Sequence, residues 1–303
     1  MSKIAVLIPC YNEEKTITKV VNDFKKELPE AEIFVYDNNS KDKTYELAEK
    51  AGARMGREFR QGKGFVVQRM FREIEADYYV LVDGDDTYPA QEVKDLLNVA
   101  QKYDADMVVG DRLSNGTYAK ENKRGFHNFG NSLVKNLVNL FFKSNLKDIM
   151  SGYRVFSRNF VKNYPILVGG FQLETDMTIF ALDKKFLIKE FAIQYRDRPA
   201  GSVSKLNTFS DGLRVIVIIF NLLRYYRPLF FFSTIALALF LFSLAVGLPV
   251  ITEYLETDYI TKIPSAVLAS GAMILSLIFF VCGIILDAIK RLESEIIQLK
   301  MKQ

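Results

Sequence analysis

Tyr78-Tyr79-Val80-Leu81-Val82-Asp83-Gly84-Asp85-Asp86 is an apolar run that stops abruptly in three acidic residues around a glycine. Such a run suits a strand buried on both faces of a parallel sheet. Its carboxylates then emerge at the carboxyl edge, where open α/β sheets bind ligands. Hard divalent cations such as Mg²⁺ or Mn²⁺ take oxygen ligands, commonly one or two carboxylates completed by substrate phosphates. The stretch therefore reads as a metal–diphosphate site with Asp83 and Asp85 as ligands. An Asp-Gly pair also makes an ordinary turn; the apolar strand in front of it favours the metal.

A chain of 303 residues is long enough for one large catalytic domain and a further unit. Hydropathy places that unit at the carboxyl end. Leu229 to Ile251 and Ile263 to Leu286 are almost free of charge, each about 23 residues and able to cross the ~30 Å hydrocarbon core of a bilayer. Arg224 and Arg227 precede the first span and Lys290 and Arg291 follow the second, whereas Glu253, Glu256 and Asp258 occupy the connection. Because positive residues stay on the cytoplasmic side, a multi-pass protein of the cytoplasmic membrane is expected, with both termini and the catalytic domain cytosolic. Met1 leads within three residues into the apolar run Ile4 to Ile8, so no signal peptide is expected. Cys10 ends a strand and Cys282 lies in a span, which excludes a disulfide framework. A single histidine, His127, excludes a His-based zinc site and leaves metal chemistry to carboxylates. The net charge of +4, without a dense basic tract, argues against nucleic acid as a partner.

The first half alternates short apolar runs with helical patterns. Ile4 to Ile8, Ile33 to Tyr36, Tyr78 to Val82 and Met107 to Val109 read as strands, and Ile17, Val20, Val21, Phe24 and Leu28 fall on one helix face. This implies a doubly wound, mostly parallel α/β sheet with its working residues in the loops after the strands. Those loops are polar: Pro9-Cys10-Tyr11-Asn12-Glu13-Glu14, Asp37-Asn38-Asn39-Ser40, Asp83 to Pro89, and Gly110-Asp111-Arg112. Each alone also reads as a cap or turn, but acidic loops converging on one edge require a cation or donors to offset them.

Gly62-Lys63-Gly64 before a helix would admit a phosphate, held by Lys63. Glu174-Thr175-Asp176 opens a helix after Gly169-Gly170-Phe171, as first-turn capping or as contact to sugar hydroxyls. Tyr195 to Lys205 reads as a mobile loop over the site, with Arg198 and Lys205 near a lipid phosphate or at lipid headgroups. Asn128 to Lys143 and Leu213 to Tyr226 each have an apolar face. The second runs into the first span and is expected in the membrane interface, with the first as a companion or a core helix. Leu292, Ile296 and Leu299 line a short tail helix after Asp287. The expected units are a catalytic domain over 1–205, a juxtamembrane helix over 206–228, a hairpin over 229–286 and a tail over 287–303.

Taken in order, Ile8-Pro9-Cys10-Tyr11-Asn12-Glu13, Asp37-Asn38-Asn39-Ser40, Asp83-Gly84-Asp85 and Ser151-Gly152-Tyr153-Arg154 resemble family 2 glycosyltransferases of the GT-A type. More narrowly the chain looks like the polyprenyl-phosphate glycosyltransferases, which include dolichyl-phosphate mannose synthase and bacterial enzymes making undecaprenyl-phosphate sugars. The resemblance covers residues 1–205, and the hairpin fits the bacterial branch. It implies a Rossmann-like mixed sheet. It also implies that Pro9, Tyr11, Glu13 and Asp37 hold the base and ribose, and that Asp83 and Asp85 hold the diphosphate through Mg²⁺ or Mn²⁺. Arg112, Arg124 and Arg154 would surround the lipid phosphate or diphosphate. Thr87 stands where some relatives present a glutamine to the metal, and Asn128 where a relative offers a serine. Related bacterial enzymes further suggest a UDP-sugar donor and a homo-oligomer, such as a tetramer.

The chemistry of the groups agrees. A lipid phosphate has a second pKa of about 6 and arrives ionised, so it is its own nucleophile and needs no strong general base. The site must supply alignment, a metal for the departing diphosphate, and arginine forks that bring two anions together. Attack opposite the leaving group inverts the anomeric centre, giving a β-linked lipid-phosphate sugar from an α-linked donor. Two rival readings are a processive polysaccharide synthase and an inactive membrane scaffold. The first usually carries a Gln-x-x-Arg-Trp motif, and this chain has no tryptophan. The second would keep closely spaced buried carboxylates at a cost with no cation to offset it.

Overall fold

The computed structural model describes residues 2–115, 125–165, 173–196, 220–221 and 223–300. The chain divides into two compact units, 1–215 and 216–303.

Among the described residues of the first unit, seven strands make one sheet: β1 (Ile4–Cys10), β2 (Glu32–Asp37), β3 (Arg54–Arg57), β4 (Tyr78–Leu81), β5 (Met107–Asp111), β6 (Arg154–Ser157) and β7 (Ile188–Ala192). Their order is β3-β2-β1-β4-β6-β5-β7. Every neighbouring pair is parallel except those made by β6, which runs antiparallel to β4 and β5. The mixed sheet is thus the one expected, although β3, β6 and β7 lack the long apolar runs that marked the other strands. The antiparallel strand positions the site. Arg154, the first residue of β6, pairs with Leu81 at the end of β4 and with Val109 near the end of β5. Ser151-Gly152-Tyr153, which precede β6, are thereby delivered to the same edge as the loops that follow β1, β2, β4 and β5.

Helices α1 (Ile17–Glu27), α2 (Thr44–Lys50), α3 (Lys63–Glu73) and α4 (Val93–Tyr103) join these strands. One face of the sheet, with Ile4, Val6, Ile8, Val80 and Val82, forms a single core with Ile17, Val20, Val21 and Phe24 of α1 and Val93, Leu96, Leu97 and Ala100 of α4. Full burial of each such side chain contributes about 1.5–3 kcal/mol. On the alternate residues, Phe71 of α3 packs edge-on against Tyr79 of β4 and Phe156 of β6. Tyr79, Val80 and Leu81 are all fully buried, as a strand covered on both faces requires. Three further helices follow: α5 (Gly125–Phe142), α6 (Arg158–Asn163) and α7 (Leu173–Asp183). In α5, Val134 and Val138 are buried while Leu133 and Leu140 are exposed. Asn139 bonds the backbone of Leu146 through both its amide oxygen and its amide nitrogen.

The second unit is built on α8 (Pro228–Thr257) and α9 (Ile263–Lys300), both long and apolar enough to cross a membrane. They pack through mostly small residues: Ala236, Ser243 and Val250, seven apart on one helix, face Ala269, Ala272 and Ser276, three and four apart on the other, all buried. Ser243 donates to Ala269 O at 2.8 Å and Ser276 to Ala236 O at 2.7 Å. A Cβ on Gly283 would come within 2.9 Å of Phe232 Cβ, so the backbone there is as close as it can be. The tail expected after Asp287 is no separate element, because α9 continues unbroken through it. Most of the expected juxtamembrane helix lies outside the described residues; 220–221 and 223–226 within it are helical.

Candidate active site

The loops at the carboxyl edge are cross-braced into one platform. Asn12, in the left-handed region at φ 55°, accepts from Lys41 N at 2.8 Å, and its own N–H donates to Ser40 Oγ at 2.9 Å. Glu13 N donates to Thr44 Oγ1 at 2.8 Å. Asn38, almost wholly buried, donates to the carbonyls of Glu58 and Arg60, both at 2.8 Å, and accepts from Gly62 N at 2.7 Å. The asparagines that read as turn chemistry therefore tie the loop after β2 to the loops after β1 and β3. Gly62, at φ 135°, makes the turn into α3 that only glycine adopts without strain.

The acidic loop is held from both sides. Thr16 donates to Gly84 O at 2.6 Å, and Lys19 pairs with Asp86 at 2.7 Å, fixing Asp86 at φ 59°. Gly84 has no positive φ; a Cβ there would lie 2.7 Å from Cys10 Sγ, so glycine is required by close packing and not by a turn. Asp85 is 4% exposed and accepts from Thr87 Oγ1 at 2.7 Å. Thr87 thus orients one of the two acids. Asp83 lies against Gly152, whose added Cβ would meet Asp83 Oδ2 at 2.5 Å.

Between these loops opens a cavity of about 300 Å³, lined by Pro9, Tyr11, Glu13, Asn38, Gln61, Gly62, Lys63, Val66, Asp83 and Asp85, among others. Lys63, the first residue of α3, bonds Asp83 Oδ1 and lies 2.6 Å from Glu174 Oε1. Burial, together with Asp85 and Glu174, pushes the Asp83 carboxyl above the usual range even though Lys63 opposes the shift. Burial would also raise Glu174, but the Lys63 charge outweighs it and holds that carboxyl low. For Lys63 burial acts downward and the two acids win, leaving the ammonium more firmly protonated than in water. Beside the cavity, Asp37 Oδ1 is buried without a hydrogen-bond partner among the described residues, while its Oδ2 accepts from Ser40 N. A buried acceptor left unmatched is costly.

Among the described residues no group of three or more His, Cys, Asp or Glu side chains is arranged to hold a metal ion by itself. Asp83 and Asp85 supply oxygen alone. That donor set fits a hard Mg²⁺ or Mn²⁺ completed by phosphate oxygens and water, and does not fit zinc.

The sequence profile described as Glycosyl transferase family 2 matches residues 5–164. The chain belongs to that family. Glycosyltransferase AglJ of Haloferax volcanii is 29% identical over 298 residues, covering 96% of this chain and 95% of AglJ. A dolichyl-phosphate hexose transferase of the same organism is 28% identical over 212 residues, or 70% of this chain and 90% of its own. Among solved structures, glucosyl-3-phosphoglycerate synthase from Mycobacterium tuberculosis, crystallised with Mn²⁺ and UDP, superimposes with a TM-score of 0.58 at 21% identity. That match covers 73% of this chain and 79% of the synthase and shows that the two share the GT-A-like fold.

Of the residues expected in this family 2 transferase site, Pro9, Tyr11, Glu13, Lys63, Asp83 and Asp85 meet at the cavity, with Glu174 bonded to Lys63. Arg154 does not join them. It is wholly buried, with Nε on Ser151 O at 2.8 Å, Nη2 on Ile149 O at 2.8 Å and Nη1 on Thr178 Oγ1 at 2.9 Å. A guanidinium shut away from solvent and filled by carbonyls supports the loop before β6 and cannot reach a phosphate. Arg112 is bidentate to Asp148, at 2.7 and 3.0 Å, and its side chain is 11% exposed. Burial would raise the Asp148 carboxyl, but the Arg112 charge together with the hydrogen bonds from Arg112 and from Met150 N holds it low. Arg112 is therefore a brace between β5 and the 148–151 loop, contrary to the expectation of an open phosphate ligand. Asp176 accepts from Tyr164 OH at 2.5 Å and stays internal. Arg124, Arg198, Lys205 and the Gly169-Gly170-Phe171 turn lie outside the described residues, as does the side chain of Asn128. Asp148 and Gln61 were not singled out from the sequence, and Gly152 was quoted only within Ser151-Gly152-Tyr153-Arg154 with no role of its own; a short segment ahead of an antiparallel strand carries no periodic signal.

Proposed function

We propose that this family 2 transferase moves a sugar, with inversion, from a nucleotide diphosphate sugar to a polyprenyl phosphate at the cytoplasmic face of a membrane. What carries the reading is one chain that joins a cavity edged by Asp83, Asp85 and Lys63 to two apolar helices whose outward side chains, Leu237, Leu241, Ile274 and Leu277 among them, are exposed. The printed names of the relatives, which include a dolichyl-phosphate hexose transferase, favour the lipid acceptor. The synthase structure with Mn²⁺ and UDP favours a metal and a nucleotide diphosphate.

In this mechanism Asp37 Oδ1 accepts a hydrogen bond from the nucleoside, satisfying its buried lone pair. Tyr11 and Glu13 border the nucleotide on the side of the loop after β1, and Lys63 meets its phosphates. Asp83 and Asp85 would hold Mg²⁺ or Mn²⁺, which when bound offsets the charge of the departing diphosphate. The acceptor phosphate attacks as an anion, and the protein aligns it instead of deprotonating it. With Arg112 and Arg154 engaged in the fold, Arg124, Arg198 and Lys205 are the cations we assign to that phosphate. Arginines and lysines flanking the helices support a cytosolic catalytic unit with both termini on the same side. Discrimination among UDP-glucose, UDP-N-acetylglucosamine and GDP-mannose rests on a few hydrogen bonds to base and sugar.

The test supplies purified protein with radiolabelled sugar nucleotides, Mn²⁺ or Mg²⁺, and undecaprenyl phosphate. Label in the lipid fraction, β-linked and lost in Asp85→Ala that stays folded in detergent, is the expected result. Label in insoluble polymer would mark a synthase, and no turnover with any donor a scaffold.

A further inference from the structure

Lys63 stands where a divalent cation must compete with it. Its Nζ bonds Asp83 Oδ1 and lies 2.6 Å from Glu174 Oε1, so one ammonium balances a metal-ligating carboxylate and a second acid brought in by α7. On its other side Asp83 Oδ2 lies against Gly152, where an added Cβ would stand 2.5 Å from it. Lys63 itself can move: it opens α3 directly after Gly62, lines the same cavity as Asp85, Tyr11 and Glu13, and carries its charge on a flexible stem with three donors.

Resting on the reading of Asp83 and Asp85 as the metal pair for a nucleotide diphosphate, we propose that Lys63 is an exchangeable counter-ion. It holds Asp83 until a nucleotide diphosphate enters, then turns to the phosphates as the divalent cation takes its place on Asp83. The exchange keeps each carboxylate matched by a positive charge, so the acidic edge is never left uncompensated. It also makes metal and nucleotide binding interdependent. A cation alone must break the Lys63 pairs, and a diphosphate alone enters facing Asp83 and Asp85, whereas the two together satisfy every charge. Such coupling is reciprocal: nucleotide tightens metal by the factor by which metal tightens nucleotide. Glu174 is then a positioning residue, the second anchor that keeps Lys63 over Asp83.

Calorimetry on the full chain in detergent, titrating Mn²⁺ with and without UDP, tests this apart from turnover. The parent protein is expected to bind Mn²⁺ weakly alone and roughly tenfold or more tightly with UDP. In Lys63→Met, Mn²⁺ alone should bind at least about tenfold tighter than in the parent, while UDP binds more weakly in the presence of Mn²⁺ and the coupling shrinks. Lys63→Arg, which keeps the charge, should behave as the parent does. Should Lys63→Met fail to fold, Lys63→Gln combined with Glu174→Gln preserves the net charge of the cluster and reports the same comparison. Mn²⁺ binding to the variants no tighter than to the parent, or coupling undiminished, overturns the exchange while leaving the metal pair standing. A parent that binds no Mn²⁺ with or without any nucleotide diphosphate overturns both.

Discussion

Arg154 shows how a residue type can point to the wrong role. An arginine at the close of Ser151-Gly152-Tyr153-Arg154, on a chain that handles anions, reads as a phosphate ligand. Its neighbours decide otherwise, since the guanidinium is sealed between Ile149 O, Ser151 O and Thr178. Arg154→Met fills similar volume beside Met107 but takes the donor from Ser151 O and leaves Ile149 O only the Thr178 hydroxyl at 3.4 Å, a cost of about 1–3 kcal/mol for a carbonyl left unmatched. The expected outcome is a shift in the denaturation midpoint of that size with UDP affinity of the folded protein near the parent's. Selective loss of transfer at unchanged stability would return Arg154 to the acceptor phosphate. The cavity residues were legible for a physical reason: Pro9 stands at the end of β1, Tyr11 and Glu13 just beyond it, and Asp83 and Asp85 just beyond β4, so strand position alone places them at the edge. The braces were not. Asn38 holding Gly62, Asp148 holding Arg112 and Glu174 holding Lys63 join residues 24, 36 and 111 positions apart, and nothing local encodes such pairs.

The same distinction governs the elements. β1, β2, β4 and β5 announced themselves as apolar runs because they are covered on both faces. β3, with Arg54 and Arg57 at the sheet edge, and β7, half-exposed throughout, carry no such run. β6 is only four residues long, and its antiparallel direction arises from pairing with β4 and β5. In the second unit, hydropathy located the helices but not their contact, which the small residues set. Hydroxyl-to-carbonyl bonds between apolar helices contribute about 0.6 kcal/mol each. The joint variant Ser243→Ala with Ser276→Ala should therefore unfold only slightly more readily in detergent titrations. Gly283→Leu, which drives a side chain into Phe232, should separate the helices and lower resistance to SDS far more. Equal effects would mean that hydrogen bonding and not close approach holds the pair.

For the whole molecule, the core described in the first unit runs from Ile4 to Ile193 and is covered by that unit's own helices, and every described residue lining the cavity belongs to 1–215. Donor binding should thus survive removal of the apolar helices. Transfer to a bilayer-embedded acceptor should not, because attack demands that the lipid phosphate be held within reach of the anomeric carbon, and orientation of this kind accounts for several kcal/mol of a barrier. A fragment ending at Val215 is expected to bind Mn²⁺ and UDP with near-parental affinity while losing at least about a hundredfold in transfer to undecaprenyl phosphate in vesicles, a loss of about 2.7 kcal/mol or more in transition-state stabilisation. A short-chain, water-soluble prenyl phosphate, which needs no bilayer, should recover much of the rate. If the fragment folds but binds no nucleotide, the helices complete the donor site itself; if it transfers to vesicles undiminished, the helices have another task than presenting the acceptor.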